Sequence, residues 1–116
     1  MILYLPLVAQ TPDYAIYHQS VIRAEQLMGQ KEFDDALSVY EGIFEDFDFI
    51  FLREYQVAAQ LAVFTGRNDV ALGIMKNGMK NGWSKKSIRT HDLLKSLKNE
   101  KQWKVLMKQG KEWRKE

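Results

Sequence analysis

The chain has 116 residues, of which 46% are hydrophobic and 28% charged, a composition typical of one globular domain and not of a disordered chain. It contains no cysteine, which excludes disulfides, thiolate zinc sites and cysteine nucleophiles. The formal net charge of +2 is unevenly distributed, because residues 1–75 carry −7 and residues 76–116 carry +9. Such a chain can attract an acidic partner at one end and a basic partner at the other, but the preferred explanation is that exposed helix faces are lysine-rich for solubility.

Residues 1–10 form an apolar N-terminal segment. The run from Met1 to Ala9 is too short to cross a bilayer. It has features of the end of a secretory signal, since an apolar stretch precedes Ala9, but no basic region stands before it. The alternative is an N-terminal strand or turn that packs on the first helix. The signal interpretation places the protein in a bacterial envelope or outside the cell, and otherwise it is expected to be cytoplasmic.

The first hairpin is predicted from a start signal and two apolar stripes. Both prolines precede Asp13, so nothing in the remaining chain forbids helix, and an all-α fold is expected. Residues 11–13 (Thr-Pro-Asp) predict a helix start in which Thr11 caps free N–H groups, and Gly29 ends this helix. A second helix is predicted from about Glu32 to Phe47. The link of two or three residues requires the two helices to lie antiparallel.

A second hairpin follows. The helix predicted from about Phe49 to Phe64 is apolar on nearly all sides, which indicates a buried helix covered by its neighbours. Residues 65–68 (Thr-Gly-Arg-Asn) predict a turn. The next helix is expected over residues 69–81, with Gly82 as a left-handed stop.

The last third of the chain, residues 84–116, is basic and is expected to cap the hairpins. Residues 83–89 predict a loop, after which Thr90 caps a short helix. Asn99 caps the last helix, and Gln102 completes a capping box. One face of that helix is apolar. Its residues are Trp103, Leu106, Met107, Gly110 and Trp113.

The two hairpins are internal repeats of each other at an offset of 35 residues. Small residues then coincide where helices must approach closely, and larger ones where space must be filled. The pairs are Ala24 with Ala59, Leu27 with Ala62, Ala36 with Ala71, and Tyr40 with Met75.

These residues resemble the tetratricopeptide repeat. The first copy carries Ala24, Leu27, Phe33, Ala36 and Tyr40 in the family's places, and the second carries Ala59, Ala62, Gly66, Ala71 and Met75. Two departures are Ser20 in place of an early aromatic residue and the absence of the closing proline from both copies. Gly82-Trp83 and the segment 92–106 are similar to the tail that closes many bacterial tetratricopeptide arrays. The resemblance covers about residues 14–107 and implies an α-α superhelix of two hairpins, residues 11–83, with capping helices after them.

The resemblance also implies a binding surface. In the family, the first helix of each hairpin lines a concave groove. The matching positions here are His18, Val21, Glu25 and Met28, then Arg53, Gln56, Gln60 and Val63. Val21 and Glu25 stand where the family's carboxylate clamp has Lys and Asn, so a receptor of that type is not expected. The mixed polar and apolar groove suits an extended or helical peptide, with Arg53 as an anchor. Because two hairpins make a short groove, tight binding would require self-association or a larger assembly.

Little in the sequence indicates catalysis. The two histidines, His18 and His91, are expected at a hairpin surface and at an exposed helix start, and no nucleophile, phosphate-loop or zinc-protease motif occurs. The acidic clusters 34–35 and 45–48 lack the spacing of a calcium loop. We therefore expect no cofactor, metal or small-molecule substrate.

The sequence predicts a non-catalytic adaptor or scaffold that binds a protein or peptide. One alternative is an accessory or regulatory domain of a separate enzyme. Another is a nucleic-acid binder that uses the basic tail. Trp103 and Trp113 lie on the apolar stripe of the last helix, which favours a core role for them over stacking on bases.

Overall fold

The structure is a computed structural model that describes the backbone of residues 13–115 and the side chains of residues 13–109. Within these ranges the chain is all-α, as predicted, and has no β-strand. None of the described helices is both long enough and apolar enough to cross a membrane. The signal remnant or strand predicted for residues 1–10 lies outside the described residues.

The described chain consists of α-helices joined by short links. They are α1 (Tyr14–Gly29), α2 (Phe33–Asp46), α3 (Leu52–Phe64), α4 (Asn68–Lys80), α5 (Lys85–Thr90), a 3-10 helix (Leu94–Leu97) and α6 (Lys101–Lys115). Helix α1 packs on α2, and α3 packs on α4, which confirms the two helical hairpins. The chain divides into two compact units, Met1–Ile50 and Phe51–Glu116. The second unit contains the second hairpin together with the C-terminal helices, and α6 packs on α4.

Helix α1 is capped by Asp13. The Asp13 Oδ1 accepts a hydrogen bond from the Ala15 N–H at 2.8 Å, as expected for a side chain at the N-cap position. The helix therefore begins one residue after Asp13, whereas the sequence assigned the cap to Thr11. The core of the hairpin contains residues that are nearly inaccessible to solvent. These are Tyr17, Ala24, Ala36, Leu37, Tyr40 and Ile43.

The turn between α1 and α2 reverses the chain through a left-handed residue. That residue is Lys31, with φ of 64°, and not Gly29, which is the last helical residue. The Glu32 N–H donates to the Leu27 carbonyl at 2.9 Å, the six-residue bond of a Schellman motif. Since a lysine side chain adopts this backbone region at a cost, the sequence offered no signal for it.

Helix α3 begins at Leu52, three residues later than predicted. The preceding residues are held against α1 by tertiary contacts: the Tyr14 hydroxyl donates to the Phe49 carbonyl at 2.8 Å. The Phe47 ring lies 5.1 Å from the rings of Tyr14 and Tyr17. These contacts compete with helix formation, so the apolar periodicity across residues 49–51 was misleading.

Helix α3 is buried along part of its circumference and exposed at both ends. Tyr55, Ala58 and Ala59 are buried, as the apolar composition predicted. Leu52, at the start of the helix, is 37% exposed, however, and Phe64, at its end, is 64% exposed. The expectation of a helix covered on all sides is therefore wrong at the two ends.

Glycine provides the same left-handed geometry in the turn between α3 and α4 and at the end of α4. Gly66 has φ of 80°, and the Arg67 N–H donates to the Ala62 carbonyl at 2.7 Å. Gly82 has φ of 110°, and the Trp83 N–H donates to the Gly78 carbonyl at 2.9 Å. Gly66 as the turn glycine and Gly82 as the left-handed stop are thus confirmed.

The C-terminal region contains one helix more than predicted. Helix α5 occupies part of the expected loop 83–89, with Ser84 as its cap. The cap of the next segment is His91 and not Thr90, because the His91 Nδ1 accepts from the N–H groups of residues 93 and 94 at 3.2 and 3.3 Å. The last helix starts at Lys101, and the Glu100 carbonyl accepts its first hydrogen bonds, so the N-cap position is one residue later than the predicted Asn99.

Candidate protein-interaction surface

The four predicted site residues of the first unit share one face of α1. His18 is exposed, and its ring lies edge-on to the buried Tyr17 ring at 5.6 Å. Glu25 and Met28 are half-buried. Val21 is only 9% exposed and belongs to the core, so it offers a partner almost no surface.

The four predicted site residues of the second unit share one face of α3. Arg53 is exposed, and Gln56, Gln60 and Val63 are half-buried. A glutamine amide both donates and accepts hydrogen bonds, so two of them one helical turn apart can pair with the backbone of a bound peptide. Half-burial also restricts the rotamers of these side chains, which lowers the entropy lost when they bind.

The α1 face, which carries His18, Glu25 and Met28, packs on a cluster of aromatic rings that the sequence pattern did not predict. The Tyr14 and Tyr17 rings are 5.2 Å apart, and both contact Phe47. Tyr17 is fully buried, and Phe47 is 9% exposed. Because His18 follows Tyr17 directly and contacts its ring, the cluster positions the His18 imidazole at the surface.

The α3 face is positioned by a close contact with α4. A Cβ atom placed on Gly78 would lie 2.7 Å from the Trp83 ring and 3.2 Å from the Tyr55 Cβ. The Tyr55 hydroxyl accepts a hydrogen bond from the Asn81 amide at 3.3 Å, and burial raises the pKa of Tyr55 above its ordinary value of 10.0. Tyr55 directly precedes Gln56, so this contact determines where the α3 face lies relative to α4.

A cleft between α4 and α6 is a further surface feature, one that the sequence pattern did not predict. Its volume is about 420 Å³. Its floor is apolar, since Leu72 and Leu106 are 5% and 4% exposed, and Val105 is 48% exposed beside them. The residues that line it are Asp69, Leu72, Gly73, Lys76, Gln102, Val105, Leu106 and Gln109. The lining residues of each helix are spaced by three and four positions. This spacing indicates a shared cleft only when the two helices are known to pack together.

The other residues considered as functional candidates, where their side chains are described, have structural roles. His91 is half-buried and caps the segment after it, so the expectation of an exposed histidine is wrong. Trp103 is 6% exposed, which confirms its core position, while the Trp113 side chain lies outside the described ones. Lys85 reaches across to α6, where its Nζ donates to the Met107 carbonyl at 2.6 Å. Among the described residues, no group of three or more His, Asp or Glu side chains is placed to hold a metal ion.

Comparisons with protein-family models, with curated proteins and with solved structures find no match to this chain.

Proposed function

We propose that this chain is a non-catalytic protein-interaction module of the tetratricopeptide type, an adaptor that binds a peptide or protein segment. Its binding residues lie on the α1 face that carries His18, Glu25 and Met28, and on the α3 face that carries Arg53, Gln56, Gln60 and Val63. Val21 supports the α1 face from the core.

The observation that carries the proposal is that the two hairpins repeat in backbone detail. The offset of 35 residues relates Lys31 to Gly66, the left-handed residues of the two turns. It also relates Glu32 to Arg67, whose φ and ψ angles are −93° and 70°, and −100° and 68°. The buried alanines of the two copies coincide as well, and all are fully inaccessible. They are Ala24 and Ala59, and Ala36 and Ala71.

Repeated hairpins favour binding over catalysis because the first helix of each hairpin presents a row of side chains at regular spacing. The α3 row combines a cation, two amides and an apolar residue, the mixture that recognises a peptide backbone and its side chains together. Both histidines already have structural contacts, His18 with the Tyr17 ring and His91 with backbone N–H groups. This supports a role for them outside proton transfer.

A selection from a random-sequence peptide display library tests the proposal. The selected peptides are measured by fluorescence anisotropy against the natural chain, against Arg53→Glu combined with Gln60→Ala, and against the control Lys86→Glu. Because a few central contacts carry most binding energy, we expect about a tenfold or larger rise in Kd for the α3 variant and less than about a twofold rise for the control. Peptides that bind all three proteins equally, or no selected peptide at all, would contradict the proposal.

Exposed lysines on α6 favour a second candidate function, which is binding of nucleic acid through its phosphates. The burial of Trp103 counts against base stacking as a part of it. Binding of a single-stranded oligonucleotide that falls steeply with salt, and that is insensitive to the α3 variant, would favour this candidate over peptide recognition.

A further inference from the structure

Helix α2 presents an acidic face to solvent. Its buried residues, Ala36, Leu37, Tyr40 and Ile43, lie on one side of the helix. The opposite side has no lysine or arginine. Its side chains are those of Asp34, Asp35, Ser38, Glu41, Glu45 and Asp46, of which Glu41 is half-buried and the others are exposed, and Gly42 lies among them. We call this set the acidic face.

Helix α6 presents a basic face of the opposite kind. Over its described side chains, Trp103 and Leu106 are buried, and no acidic residue occurs. The residues exposed on the other side are Lys101, Lys104, Val105 and Lys108, which we call the basic face. Val105 is 48% exposed between the lysines and borders the cleft between α4 and α6.

The division of charge coincides with the division into compact units. Residues 1–50 contain 2 Lys/Arg and 9 Asp/Glu, a net charge of −7. Residues 51–116 contain 15 Lys/Arg and 6 Asp/Glu, a net charge of +9. One unit is therefore acidic and the other basic, although the whole chain carries only +2.

Some charge pairs on these faces are unfavourable within their own helix. Glu41 and Glu45 are four residues apart on α2, and Lys104 lies three and four residues from Lys101 and Lys108 on α6. Like charges at these spacings repel and destabilise a helix, whereas alternating signs would aid solubility and also stabilise it. A partner of opposite charge relieves the repulsion on both faces.

We propose that copies of this chain associate with the acidic face of one copy on the basic face of another. The chain itself carries both complementary surfaces, and the helices that bear them have similar lengths of 14 and 15 residues. Lysines of one helix lie along carboxylates of the other, and Val105 supplies an apolar contact among them. The contact is heterologous because it joins two different faces. This inference is independent of peptide binding at α1 and α3.

Sedimentation of the full chain at low and high salt provides the first test. At about 50 mM salt we expect a weight-average mass at least twice that of the chain, and at about 500 mM salt the mass of a single chain, because ions screen exposed charges. A single-chain mass at low salt over the whole accessible concentration range would overturn the proposal.

Charge-reversed variants provide the second test. One carries Asp35→Lys, Glu45→Lys and Asp46→Lys on the acidic face, and the other carries Lys101→Glu, Lys104→Glu and Lys108→Glu on the basic face. Each alone is expected to have the mass of a single chain at low salt. Their equimolar mixture is expected to recover the larger mass, because each reversed face then meets a face of opposite sign. Failure of the mixture to associate would overturn the proposal.

A matched control distinguishes the effect of the basic face from the effect of the net charge of the second unit. The variant Lys86→Glu, Arg89→Glu, Lys98→Glu changes the net charge of the second unit by the same amount, at exposed positions outside α6. It is expected to associate as the natural chain does, and equal loss in this control would overturn the assignment to α6. Circular dichroism of all three variants checks that each keeps its helix content.

Discussion

In the first hairpin, α1 and α2 carry Ser20 and Ile43, and at the positions 35 residues later α3 and α4 carry Tyr55 and Gly78. The large side chain thus comes from the second helix in one hairpin and from the first helix in the other. In the second hairpin the missing Cβ of Gly78 makes room for the Tyr55 and Trp83 rings. The same backbone plan therefore carries its large side chain on different helices in the two hairpins, and only the second hairpin relies on a glycine for the close approach.

The largest expected effect comes from removing the space at Gly78. Gly78→Ala would place a Cβ 2.7 Å from a Trp83 ring carbon. Both neighbouring rings are hydrogen-bonded, Tyr55 to Asn81 and Trp83 to Ser87, which restricts their movement. We expect a loss of about 3 kcal/mol in the free energy of unfolding, the upper part of the usual cost of overpacking. Thermal and urea denaturation measure it.

The matched control for this change is Gly73→Ala on the same helix, where a Cβ would meet nothing within 4 Å. Because alanine is the better helix former, we expect this variant to gain up to about 1 kcal/mol. Equal changes in the free energy of unfolding for the two variants would show that the close contact at Gly78 does not limit the size of the residue there.

The next effect concerns the buried alanines that the two hairpins share. Ala24 and Ala59 are both fully inaccessible. We expect Ala24→Leu and Ala59→Leu each to lower the free energy of unfolding by about 2 kcal/mol, because no space exists for the added side chain. A melting temperature unchanged from that of the natural chain in only one of the two variants would show that the two positions are not equivalent.

A smaller effect is expected at the two hairpin turns, where the residues can be exchanged. Lys31 and Gly66 have φ angles of 64° and 80°. A side chain in this region costs about 1 kcal/mol, so Gly66→Lys should destabilise the protein by that amount and Lys31→Gly should recover a similar amount. Chemical denaturation of the two single variants and of the exchanged double variant measures both terms. A double variant as stable as the natural chain would confirm that the turns are equivalent.

The smallest expected effect is a pH dependence of the free energy of unfolding that comes from Tyr55 in the second hairpin. Burial raises the pKa of Tyr55 above 10.0, so between the pKa of the unfolded chain and that of the folded chain only the unfolded state loses this proton. The free energy of unfolding should therefore fall as the pH rises above about 10. Part of that fall should be absent in Tyr55→Phe, since phenylalanine has no proton to lose. A pH series of urea denaturation curves for both proteins measures the difference, and identical alkaline slopes would contradict it.

The helices themselves were largely predictable from local sequence. Helix α2 was expected over 32–47 and occupies 33–46, and α4 was expected over 69–81 and occupies 68–80. Apolar residues at helical spacing and the glycines at positions 66 and 82 carried these predictions, because both signals act within a few residues. The eight candidate residues were likewise assigned to α1 and α3, and the structure places them there, with Val21 in the core.

What failed depended on contacts between residues far apart in the chain. The start of α3 is displaced by the contacts of Tyr14 with Phe47 and Phe49. The cap at His91 is an exception, because its hydrogen bonds are local and a histidine cap simply replaces the one expected at Thr90. The core position of Val21 follows from the way α1 packs, and helix periodicity alone did not separate it from its neighbours on the α1 face.

By itself, the sequence of this protein determined an all-α chain, two hairpins repeating every 35 residues, and opposite charges in its two parts. These properties follow from composition, spacing and local capping. The tertiary structure alone decided that Lys31 takes a left-handed conformation, that Gly78 makes room for two rings, and that the division of charge coincides with the two compact units. The physical reason is that each of these depends on which surfaces meet after folding, and the free energy gained by that packing exceeds the local preferences of the residues involved.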